Sequence, residues 1–207
     1  MGWSFYHRAP GVETNAAHFT RKLGDRYEII AHGTVETVFY AAIRSHKTGT
    51  VSAYVALTRW KHDRTHNFGY TAMDETCLPA AHKAPKAVLD ALTPTTHQDA
   101  LAWRANCVRY HDQHAFLRQQ LKPGMRIRLT HPLRCADNIR RDAFTYGWTG
   151  GRKQGRLTDG PRRFPMPNWR ELVAALIHPD GSETLTPVGK HQTTHHRSSP
   201  APHSEQR

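Results

Sequence analysis

Residues 67 to 76 read Asn-Phe-Gly-Tyr-Thr-Ala-Met-Asp-Glu-Thr and set two adjacent carboxylates, Asp74 and Glu75, shortly after a phenol, Tyr70. A carboxylate can exchange a proton, and a phenol can orient a substrate. Adjacent side chains point in different directions on a strand or a helix. Asp74 and Glu75 alone are therefore a poor acid–base pair. A catalytic or ligand site centred on Tyr70, Asp74 and Glu75 requires these side chains to line one pocket. The architectural alternative is a turn fixed by Gly69, an aromatic plug from Phe68 and Tyr70, and a carboxylate that satisfies buried amides. The alternative carries more weight, because short motifs recur by chance.

Other reactive groups are scattered. The chain has 16 histidines and three cysteines, Cys77, Cys107 and Cys135. His62 and His66 are four apart and His111 and His114 three apart, spacings that can set two metal ligands on one face. No Cys-x-x-Cys and no His-Glu-x-x-His accompanies them, so no metal is assigned. Cys77 directly follows the 67–76 stretch, but a nucleophilic thiolate needs an arranged base and an orienting group. Neither glycine-rich phosphate motif is present, and no cofactor is implied.

Charge points elsewhere. The formal net charge is +12, and a cation of that size attracts polyanions, nucleic acid above all. Between residues 122 and 170 there are twelve Lys or Arg against Asp137, Asp142 and Asp159, so nine positive charges remain after subtraction. Tyr146, Trp148, Phe164 and Trp169 are interleaved with them. Arginine forks match phosphate oxygens, and aromatic rings stack on unpaired bases. Arg126, Arg128, Arg140, Arg141, Arg152, Lys153, Arg162 and Arg163 are the expected phosphate contacts, with Trp148 as the stacking ring. In the competing reading the aromatics form a core and the arginines are simply solvated. DNA and RNA are not distinguished.

These residues need elements to hold them. Glu13-Thr14-Asn15 offers helix caps ahead of Ala16, Phe19 and Leu23, with Gly24 as the stop. An edge strand is expected near 3–8, a brief strand over 27–30, and a longer one over 35–44 whose continuous apolarity calls for cover on both faces. A polar turn at 45–49 leads into a strand over 50–60, and the two form an antiparallel hairpin. Pro85 opens a helix carrying Val88, Leu89 and Leu92, and Pro94 stops it. A longer helix runs from about Gln98 to Leu121. Met125-Arg126-Ile127-Arg128-Leu129 alternates as a strand. Short strands are expected near 144–146, 156–157 and 164–166. Residues 172–177 fit a strand or a helix, and His178-Pro179-Asp180-Gly181-Ser182 signals a hairpin turn. The fold class is α+β. An antiparallel sheet with helices and the 67–76 stretch fills 1–97, a linker helix 98–121, and a basic SH3-like small barrel 122–188. The tail from 189 to 207 is too polar to bury a core and is expected to be disordered.

Several separated motifs together resemble an uncharacterised domain family found in bacterial and phage genomes. They are Met1-Gly2-Trp3, the Phe68-Gly69-Tyr70-x-x-Met73-Asp74-Glu75-Thr76 signature, Val88-Leu89-Asp90-Ala91-Leu92-Thr93-Pro94, the Trp103-Arg104 pair and Lys122-Pro123-Gly124-Met125. The resemblance spans roughly 1–177 and implies a mobile-element context but no activity. Thr71-Ala72 stand where the family has Lys-Asp, and Ala84-Pro85 where it often has Cys-Pro. Any metal or redox work of that cysteine is therefore lost here.

No apolar run reaches the length of a membrane span, and no leader is evident at the start. A cytoplasmic protein away from membranes is expected. First in rank is a non-enzymatic accessory protein of a phage or other mobile element that binds nucleic acid through the basic barrel. An enzyme or ligand-binding domain at Tyr70, Asp74 and Glu75 comes second. An inhibitor of host defence, with a host protein as partner, comes third and rests on context alone.

Overall fold

The computed structural model describes residues 2–6, 13–60, 67–135, 137–148, 155–159, 162–164 and 168–190. The chain divides into two compact units, Met1–Val108 and Arg109–Arg207.

In the first unit, β1 (Ser4–Tyr6) precedes α1 (Asn15–Leu23). The Thr14 hydroxyl caps α1 by accepting the Ala17 amide at 3.1 Å, and Arg21 and Lys22 fall in the last turn, where the helix dipole favours cations. β2 (Tyr27–Val35), β3 (Val38–Ser45), β4 (Val51–Trp60) and β5 (Phe68–Asp74) follow. They form an antiparallel sheet in the order β1-β5-β4-β3-β2. β2 is longer than its sequence suggests. The turn that ends it is Glu36-Thr37, with Glu36 at φ 55°, and no Gly, Asn or Pro announces it.

The apolar run of β3 is buried on both sides. Phe39, Ala41 and Ile43 pack with Phe19 and Leu23 of α1. Tyr40 and Ala42 pack with Val51, Ala53, Val55, Val88, Trp103 and Cys107. The second group draws on α2 (Lys86–Asp90) and on α3 (Gln98–Gln120). The boundary between the units falls inside α3.

The second unit is a six-stranded antiparallel sheet in the order β11-β10-β6-β7-β8-β9. Its strands are β6 (Arg126–Arg134), β7 (Arg140–Trp148), β8 (Gly155–Asp159), β9 (Arg162–Phe164), β10 (Val173–Ile177) and β11 (Glu183–Leu185). The segment 172–177, open on sequence, is a strand preceded by a 3-10 turn at Trp169–Leu172. Ile127, Leu129, Phe144, Tyr146, Leu157, Trp169, Val173 and Leu176 form the core with Leu117 from the end of α3. Tyr146 and Trp169 thus belong to the core, as the competing reading of the aromatics required. Among the described residues β9 and β11 do not pair with each other. Closing a barrel requires that pairing, so the unit is seen as a sheet and not as a closed barrel. The tail beyond 190 lies outside the described residues. Among them no helix is long and apolar enough to cross a membrane.

Candidate functional site

The 67–76 stretch is β5 followed by a 3-10 turn, Glu75–Cys77. Asp74 caps that turn. Its Oδ1 accepts the Thr76 amide at 2.9 Å and the Thr76 hydroxyl. Glu75 is 2% exposed and is held by Arg104 of α3. Arg104 Nε donates to Oε2 and Nη2 to Oε1, both at 2.7 Å, while Nη1 donates to the Thr93 carbonyl at 2.7 Å. This bidentate geometry uses both carboxylate oxygens.

Tyr70 lies on the other face of the sheet. It packs into the cluster of Phe19 and Phe39, stacks on Tyr6 at 5.7 Å and meets the ring of Phe19 edge-on at 4.9 Å. Arg104 neighbours Trp103, which packs on the opposite side with Tyr40 and Val55. The structure therefore does not bring Tyr70 and Glu75 into one pocket, and Asp74 is occupied by its own turn.

Tyr70 does border a cleft of about 340 Å³ with Gly2, Ser4, Lys22, Arg26 and Tyr54 among its walls. Tyr6 and Tyr70 share a hydrogen bond that lowers the Tyr6 phenol. Burial, assisted by the same bond, pushes the Tyr70 phenol up to about 12. Lys22 Nζ stands 4.2 Å from the centre of the Tyr6 ring and is a further cause of the lower Tyr6 value. Tyr6 and Lys22 were not singled out from the sequence. The chain separates them by most of α1, and no spacing rule joins them.

The basic residues of the second unit sort into two groups. Arg128 donates to both carboxylate oxygens of Glu183, Nε at 3.0 Å. Arg141 pairs with Asp137 and with Asp159, each at 2.8 Å. The Asp137 carboxylate, first among several partners, pushes the Arg141 guanidinium above its ordinary value. These two arginines are committed to internal acids and are poor free phosphate contacts. Arg126 and Arg140 are exposed, and no acidic partner binds them among the described residues. Backbone register aligns Arg126 with Thr145, Thr145 with Thr158, and Thr158 with Arg163. Arg128 stands opposite Ala143. The core residues Ile127, Phe144 and Leu157 alternate with these positions, so Arg126, Thr145 and Thr158 lie on the face away from the core. The backbones of Trp148, Arg162 and Arg163 are placed in β7 and β9, but their side chains lie outside the described residues. Arg152, Lys153 and the His62–His66 pair lie outside them entirely. Among the described residues no three His, Cys, Asp or Glu side chains could hold a metal together.

A second cleft, of about 400 Å³, is lined by His114, Leu117 and Arg118 of α3, by Leu121 just past its end, and by Tyr146 of β7 and Arg170. The first four occupy positions i, i+3, i+4 and i+7, the spacing of one helical face. Arg170 lies over the Trp169 ring at 4.7 Å, and Trp169 meets Tyr146 at 5.4 Å. Gln113, fully buried, fixes this corner. Its Nε2 donates to the carbonyls of Arg170 and Val173, both at 2.9 Å, and its Oε1 accepts the Val188 amide at 3.2 Å.

Part of the chain resembles a described family. Residues 94–171 match the model of a domain of unknown function (DUF6927). That span takes in α3 and β6 to β9, and it leaves out the 67–76 stretch. All six residues lining the second cleft fall inside it, whereas the lining residues of the Tyr70 cleft fall outside. No curated protein and no solved structure is significantly similar to this chain.

Proposed function

We propose that this chain is an accessory protein of a phage or other mobile genetic element, acting in the cytoplasm, that binds nucleic acid through the outer face of the six-stranded sheet. The observation that carries this reading is the row Arg126–Thr145–Thr158–Arg163 across β6, β7, β8 and β9. The two positions between the cations are threonines, which add no negative charge to repel a phosphate backbone. The reading treats β6 to β11 as the strands of a small SH3-like barrel. Exposed Arg126 and Arg140, at opposite ends of the β6–β7 pair, supply contacts on these strands, and the position of Arg163 supplies one on β9. Arg128 and Arg141 serve the sheet, because their carboxylate partners already occupy them.

A salt titration of binding to single- and double-stranded oligonucleotides tests the proposal. Log affinity is expected to fall linearly with log salt, by roughly 0.7 to 0.9 for each neutralised phosphate. Arg126→Gln with Arg140→Gln should flatten that slope by about 1.5, while Arg128→Gln should change it far less. Binding that ignores salt, or no binding at low salt, refutes the reading.

A second reading has its own observation. The Tyr70 cleft joins two cations, Lys22 and Arg26, to the phenols of Tyr54 and Tyr70. It makes the first unit a ligand-binding domain without the carboxylates Asp74 and Glu75. Calorimetric titration with small carboxylates, comparing the native protein with Lys22→Gln, tests it. Equal heats from the two proteins reject it.

A further inference from the structure

The cleft at the end of α3 differs in kind from the outer face of the sheet. Two of its walls, Leu117 and Tyr146, belong to the core of the second unit. It therefore opens on the core side, away from Arg126. Its volume, about 400 Å³, lies within the range of small-molecule sites, roughly 300 to 1,000 Å³. Among the described residues its walls hold two guanidiniums, Arg118 and Arg170, and no carboxylate.

Neither guanidinium is spent on an internal acid among the described residues. Arg118 is exposed on the last turns of α3. The Arg170 guanidinium carbon stands 4.7 Å from the centre of the Trp169 ring. Such a cation–π contact does not use up the N–H donors of a guanidinium. The Arg170 backbone is held by the buried Gln113 amide at 2.9 Å, so this wall is fixed before any ligand arrives. A site with pinned donors loses less freedom on binding.

Two positive charges, one of them anchored, with no counter-charge among the described residues suit a doubly charged anion. A phosphomonoester approaches two negative charges at neutral pH, since its second ionisation lies near pH 6. A phosphodiester inside a strand carries only one. We propose that the Arg118–Arg170 cleft binds a phosphomonoester, with Arg118 and Arg170 donating to its oxygens and His114 and Tyr146 bordering it. The group belongs either to a free nucleotide or to the 5′ end of a strand. The proposal does not depend on nucleic-acid binding by the outer face.

Calorimetry on the full chain separates the sources. The ligands are inorganic phosphate, thymidine 5′-monophosphate, and a thymidine pentanucleotide with or without its 5′-phosphate, at about 0.3 M salt to weaken diester contacts. The 5′-phosphorylated strand is expected to bind at least about tenfold tighter than its 5′-hydroxyl counterpart, the usual scale for a charge-assisted hydrogen bond. Arg118→Gln should abolish the difference, and Arg118→Lys should restore part of it. Binding of the monophosphate on its own identifies a nucleotide site. Preference for the phosphorylated strand without monophosphate binding identifies a strand-end site. Both outcomes support the cleft. Equal affinity for the two strands together with no Arg118-dependent binding of either small phosphate overturns it. So does a phosphate preference that survives in both Arg118→Gln and Arg170→Gln. Arg118 is exposed, so its variants keep the test valid if the Arg170 variant fails to fold. Loss of salt-dependent binding with retained Arg118-dependent phosphate binding refutes only the outer-face reading.

Discussion

The pair Glu75–Arg104 gives the sharpest test of what the 67–76 stretch is for. The Glu75 side chain is 3% exposed and that of Arg104 is 19% exposed. Arg104 also donates to the Thr93 carbonyl, and the Thr93 hydroxyl bonds the Val51 amide and carbonyl at 3.2 and 3.0 Å. One ion pair thus ties the 3-10 turn to α3 and, through Thr93, to β4. Removing one partner of a buried pair costs roughly 3–5 kcal/mol, because the other charge is left without compensation. The two ends differ. Without Glu75 the partly exposed Arg104 can reach water, so Glu75→Ala should cost about 3 kcal/mol. Without Arg104 the carboxylate is stranded, so Arg104→Ala should cost nearer 5 kcal/mol. For a chain of this size 1 kcal/mol shifts the melting temperature by roughly 2–4 °C, so Glu75→Ala should melt about 6–12 °C lower. Replacing both by methionine should be milder than either alanine variant, since an apolar pair often substitutes for a buried ion pair. Urea denaturation followed by circular dichroism measures all four proteins. Additive single effects, or a Glu75 variant as stable as the parent, would refute the structural role. A gain in stability would point instead to an active-site acid, whose removal commonly stabilises.

Two further outcomes follow from burial. Cys77 is exposed while Cys107 and Cys135 are buried, and burial pushes the Cys107 thiol up to about 12. Labelling with a thiol reagent at pH 8 should therefore modify one cysteine per native chain and three after denaturation, counted by mass spectrometry; native labelling of Cys107 would contradict the packing. Burial also lifts the Tyr40 and Tyr70 phenols from 10.0 to about 12. Above pH 10 the unfolded chain loses these protons before the folded one does. Stability should then fall between about pH 10 and 12, and unchanged urea midpoints across that interval would refute the assignment.

Where local signals agreed with burial, the sequence was readable. Thr14, Phe19 and Leu23 mark α1 because a cap and an apolar stripe coincide. The apolar run of β3 announced its two-sided cover, and Ile127 and Leu129 alternate as the core requires. The turn at Glu36-Thr37 was hidden, because a glutamate at positive φ carries no turn signature. Buried polar anchors were hidden for another reason. Gln113 and Glu75 look like surface residues until their partners, far along the chain, are known. The separation of Tyr70 from Glu75 was partly legible: positions 70 and 75 differ in parity, so a strand through both sends them to opposite faces. The lining of the second cleft was half legible. His114, Leu117, Arg118 and Leu121 share a helical stripe, but nothing near them points to Tyr146 or Arg170.

Net charge alone does not locate a binding surface, and the ion pairs show why. Of the arginines expected to meet phosphate, Arg128 and Arg141 face Glu183, Asp137 and Asp159, so the excess charge rests on the other cations. What remains is split between two geometries. From Arg126 to the position of Arg163 the row crosses three strand spacings, about 14 Å at the usual separation. That exceeds the Debye length of about 8 Å in physiological salt. On the proposed reading, cations so spaced would act on separate phosphates, and their contributions to a salt slope would add. Arg118 and Arg170 instead border one cleft and, on our proposal, would act on a single group. Their effect should be seen in discrimination between a monoester and a hydroxyl end, and little in the slope. A single affinity measured at one salt concentration would merge the two, whereas slope and end-group preference report them separately.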